Sequence, residues 1–76
     1  EQADAVAAKL EDITGIKPST SASWENSEFR EFVIEFDQIP AGIPPDEIRA
    51  HALESIKAHF NSTPEKLTVN FLDHGE

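Results

Sequence analysis

Between Phe29 and Asp37 the side chains alternate in character: Phe32, Ile34 and Phe36 fall on one side of an extended backbone, and Glu31, Val33, Glu35 and Asp37 on the other. A period of two marks a strand with one face in a core and one in water. A strand with one core face and one wet face is what an antiparallel sheet with helices on one side only is expected to show.

The residues after this strand say what covers it. Pro44-Pro45 forbids helix before it and sets a proline at the first helical position, with Asp46 and Glu47 in the first turn. From Pro45 to Phe60 the apolar residues Ile48, Ala52, Leu53, Ile56 and Phe60 fall within an arc of about 140°, a normal core-facing stripe. Asn61-Ser62-Thr63-Pro64 stops the helix. Leu67, Val69 and Phe71 then alternate with Thr68, Asn70 and Leu72, which predicts a strand over 66–72, followed by a polar tail, Asp73-His74-Gly75-Glu76.

Upstream, Ala3, Val6, Leu10 and Ile13 repeat at helical spacing, so residues 2–14 are expected to form a helix ended by Gly15. In Ser19-Thr20-Ser21-Ala22-Ser23-Trp24 the serines alternate with Thr20, Ala22 and Trp24, the pattern of a short edge strand, which Pro18 permits at its start. Glu25-Asn26-Ser27-Glu28 is expected to be a four-residue hairpin loop. Arg30 shares the parity of Phe32 and is placed on the aromatic side, near enough to the strand's beginning to reach solvent. The fold class is therefore α+β, with element order α-β-β-α-β and a three-stranded sheet carrying two helices on one face, in a single domain over residues 1–76. This order is similar to that of the BON domain, a small module of bacterial envelope proteins. The glycine-centred hairpin usual in that family is replaced here by Glu25-Asn26-Ser27-Glu28, and no residue is carried over. The resemblance of element order implies an envelope-associated module.

Charge decides the partner class. Fifteen acids against six bases give a net charge of −9, which repels nucleic acid and anionic membrane and favours basic protein surfaces. The absence of cysteine removes disulfides and thiolate metal sites, and no apolar run reaches the about 20 residues of a membrane-spanning helix. Compartment stays open between cytoplasmic and, if a signal peptide preceded Glu1, periplasmic or secreted.

Catalytic chemistry finds little to work with. Three glycines at 15, 42 and 75 make no phosphate-binding loop, and no Gly-x-Ser-x-Gly elbow exists. His51 and His59 lie about 12 Å apart along their helix, too far to share one metal ion. Glu47 and His51 are one turn apart but lack a third ligand. His59 has core-stripe parity near the helix C-terminus, and is read as a cap for the last carbonyls. We therefore expect no enzyme, cofactor or metal. The expected function is a small acidic protein-interaction module of inhibitor, immunity or envelope-associated type. It would bind a basic protein surface through Glu28, Glu31, Val33, Glu35 and Asp37 on the open sheet face, or through a strand edge. An acidic DNA mimic is one alternative, since acids about 7 Å apart on a strand approach phosphate spacing. A structural domain that forms homodimers by pairing edge strands is another.

Overall fold

The computed structural model describes residues 2–72; the C-terminal tail lies outside them. The elements follow the expected order: α1 (Gln2–Thr14), β1 (Ser19–Glu25), β2 (Glu28–Phe36), α2 (Pro45–Phe60) and β3 (Lys66–Phe71). The sheet is mixed, in the order β1-β2-β3, with β1 antiparallel and β3 parallel to the central strand.

The helix ends obey local chemistry. Gly15, at φ +82°, closes α1 with its N–H on the Glu11 carbonyl at 2.7 Å. Pro44 and Pro45 open α2, and Asn61 closes it in the left-handed conformation, donating to the Lys57 carbonyl. Val6 and Leu10 of α1, Ile48, Ala52 and Ile56 of α2, and Phe32, Ile34 and Phe36 of β2 form one fully buried cluster. Both helices thus cover the same face of the sheet, and the other face is left open.

Three local expectations need correction. The hairpin connection is a two-residue turn, not a four-residue loop: Glu25 pairs with Glu28, and only Asn26 and Ser27 lie between, at φ +52° and +66°. Two consecutive positive φ values are those of a type I′ turn, which matches the twist of the flanking strands. The second correction concerns β2. Ser23 pairs with Glu31 but Trp24 with Phe29, so Arg30 is an extra residue, a β-bulge. The bulge re-phases the strand and brings Phe29 into the core beside Phe32 and Phe60. Arg30 accordingly contacts glutamates rather than aromatic rings. The third is His59, which is exposed. Its backbone carbonyl accepts a bond from Gln2 Nε2 at 2.8 Å, because the start of α1 lies against the last turn of α2. Ser55, one turn earlier, is instead buried beside the groove that Lys9 also lines, its Oγ without a partner among the described residues.

Candidate functional site

The pairing registers lay out the open face in three rows: Ser19–Glu35–Asn70, Ser21–Val33–Thr68 and Ser23–Glu31–Lys66. Strand spacing of about 4.8 Å and a two-residue rise of about 7 Å set the grid of this largely polar face. Glu31, Val33 and Glu35 stand in line down its middle. Glu35 is exposed, whereas Val33 and Glu31 are half-buried between their neighbours.

Glu31 is not a free acid. Its carboxylate accepts a hydrogen bond from Thr68 Oγ1 at 2.9 Å, and Lys66 stands beside it in register. Asp37 lies one residue beyond β2, at the rim, where the Leu72 amide bonds the Phe36 carbonyl and prolongs the pairing. Leu72 is exposed there, as its outward parity implied. Glu28 stands at the opposite end of the strand. The five residues singled out from the sequence therefore form a line of three, with one member at each end.

The sequence did not reveal the cluster around Arg30. Its guanidinium gathers three glutamates: Glu65 Oε2 at 2.7 Å from Nη1, Glu28 Oε1 at 3.0 Å from Nη2, and Glu25 Oε1 at 3.4 Å from Nε. The last contact is ionic only; Nε is buried and has no aligned acceptor among the described residues. Glu65 is further held by its own N–H on the Phe29 carbonyl at 3.0 Å. The bulge that displaces Arg30 from the core side thus also ties the hairpin end to the segment before β3. A run of acids near a turn hinted at this, but the 35-residue separation of Arg30 and Glu65 left no local signal.

Trp24 is the other feature that parity alone misplaces. Its indole stacks on Phe29 at 4.4 Å and 12°, and Phe29 in turn stacks on Phe60 at 5.1 Å. One face of the indole is thus seated on the end of the core, yet the residue is 51% exposed. It sits on the edge strand, beside the bulge.

A shallow groove of about 320 Å³ runs between the helices, lined by Lys9, His51, Glu54, Ser55, Ala58 and His59. It mixes both charges, and among the described residues no three potential metal ligands converge. Nor is any helix of the described residues long and apolar enough to cross a membrane. No family model, curated protein or solved structure matches this chain, so its chemistry must be read from its own surface.

Proposed function

We propose that this domain is a small non-enzymatic protein-interaction module whose open sheet face receives a basic surface of a partner protein. The observation that carries this reading is the uncovered platform itself: both helices pack on the other side, and Glu35 stands exposed at the platform's centre line. Asp37 extends the acidic line at the rim. A net charge of −9 steers basic partners toward the domain and accelerates encounter. Val33 offers an apolar contact amid the polar rows, and the serine rows add hydroxyls able to donate or accept. DNA mimicry is less well supported, because Arg30 and Lys66 interrupt the acids.

The test is co-purification with wild-type protein and with a variant carrying Glu31→Gln, Glu35→Gln and Asp37→Asn together. A partner retained at low salt, released by salt and lost from the triple variant supports the reading. A partner held equally by the variant overturns it.

A further inference from the structure

Resting on the reading of this chain as an interaction module, we propose that its primary docking element is the free edge of β1. An extended, lysine- or arginine-bearing segment of the partner adds there as a fourth strand and covers Trp24. The strand runs Ser19–Glu25 and, among the described residues, pairs only with β2. Its outward amides and carbonyls, about three of each from the alternation of an antiparallel ladder, meet no other backbone group among the described residues. Thr20 Oγ1 donates to the Ala3 carbonyl at 3.2 Å, so α1 lies over the core face of β1 and leaves its edge open.

Natural edge strands are guarded by lysine, proline, inward charge or a bulge. Between Ser19 and Trp24 this one has no charge and no proline. The bulge opposite it is confined to the turn end, leaving Ser19 to Ser23 regular. The contrasting edge, β3, begins with Lys66. An unguarded edge with a half-exposed indole at one end offers what strand addition uses: backbone hydrogen bonds for affinity and a side-chain contact for specificity. Lysine and arginine side chains pack on indole faces.

Charge selects the occupant. Glu35 stands in register beside Ser19 and Glu31 beside Ser23, while Glu25 ends the strand. The overlying α1 contributes exposed Asp4 and Glu11. Lys17, two residues before β1, is a weak counterweight. A basic segment on this edge has exposed Glu35 one strand in and Asp4 and Glu11 on α1, with Glu31 and Glu25 already engaged by Thr68 and Arg30. A second copy of the chain would bring the same acids together, with −9 on each partner, and is disfavoured.

The test titrates the whole chain with the peptide acetyl-Lys-Val-Lys-Val-Lys-Val-Lys-amide. Controls are its glutamate counterpart and a lysine version N-methylated at the valines. Trp24, the chain's single tryptophan, supplies the fluorescence signal, and hydrogen exchange locates the contact. The lysine peptide should shift Trp24 emission and slow exchange across residues 19–25. N-methylation should weaken binding about tenfold or more, and the glutamate peptide should not bind. Equal binding of the N-methylated peptide, protection elsewhere, or no binding up to millimolar lysine peptide overturns the edge proposal. If N-methylation has no effect but the triple face variant abolishes binding, the platform reading stands and the edge falls. If the triple variant still binds with β1 protected, the edge stands alone. A peptide-free dimer protecting residues 19–25 overturns the choice of occupant in favour of a second copy.

Discussion

The bulge makes a sharp demand on single-residue deletions. Arg30 is the extra residue between the pairs Ser23–Glu31 and Trp24–Phe29. Removing it should let the ladder close without changing which face any β2 side chain occupies: Phe29 moves into a position of the same parity as Phe32 and stays in the core. What is lost is the guanidinium among Glu25, Glu28 and Glu65. These pairs are more than a third exposed, so each contributes only about 0.2–1 kcal/mol after screening. The three share one cation and do not add, giving about 1–2 kcal/mol with the repulsion left behind. Deleting Val33, which is regularly paired with Ser21 and Thr68, has the opposite geometry. Keeping Ile34 and Phe36 inside would send Phe32 to the open face and Glu31 into the core. Losing buried Phe32 costs about 3–5 kcal/mol, before the cost of burying a carboxylate. A 76-residue chain has a total stability of about 4–11 kcal/mol. The Val33 deletion should therefore be unfolded, and the Arg30 deletion folded.

Urea titrations followed by Trp24 fluorescence and far-ultraviolet circular dichroism separate the two. The expected result is a cooperative transition for the Arg30 deletion, displaced to lower urea, with a deficit that shrinks in 0.5 M salt as screening weakens the wild-type ion pairs. The Val33 deletion should show no folded baseline. Equal damage from both deletions, or a wild-type midpoint for the Val33 deletion, would refute the assignment of the bulge.

Other substitutions probe single features. Ser27→Gly relieves a non-glycine residue at φ +66° in the turn and should stabilise by about 1 kcal/mol, seen as a rise of about 5 °C in melting temperature. Ser55→Ala removes a buried hydroxyl with no partner among the described residues and should leave stability unchanged or raise it by about 1 kcal/mol in urea unfolding; a loss above that size would mean the hydroxyl is bonded. Thr68→Val removes the donor to Glu31 and should cost about 1 kcal/mol, measured the same way, whereas Thr68→Ser should recover most of it.

The parts of the fold that were legible share one property: their signal repeats. Phe32, Ile34 and Phe36 announce a one-sided strand, and Ile48, Ala52 and Ile56 a helix face, because several residues obey one period. Thr20 and Ala22 are half-buried against exposed Ser19, Ser21 and Ser23, so even the weak alternation of β1 carried its meaning. The missed features are single events. One inserted residue, Arg30, shifts parity for everything before it and leaves no mark on composition. A type I′ turn written Asn-Ser instead of Asn-Gly hides the tight connection. Ser55 is buried beside the groove that Lys9 of α1 also lines, a fact about two elements that neither sequence segment contains.

That distinction changes where the acidic character can act. Counted along the strand, Glu28, Glu31, Glu35 and Asp37 look like one continuous acidic face. In space Glu28 is paired with Arg30 at 3.0 Å, and Glu31 is bonded by Thr68 with Lys66 alongside. A carboxylate already holding a hydrogen-bond donor must give up or share that contact to engage a partner, which lowers its net contribution to binding. Among the described residues, Glu35 and Asp37 are the acids of that line with no partner of this kind, and Glu35 adjoins Ser19 on β1. The domain carries a net charge of −9, and exposed Glu35 stands one strand in from the unguarded edge. A basic partner drawn in by the net charge would meet acids on the centre line of the face and unpaired backbone at the β1 side, and strand addition uses both.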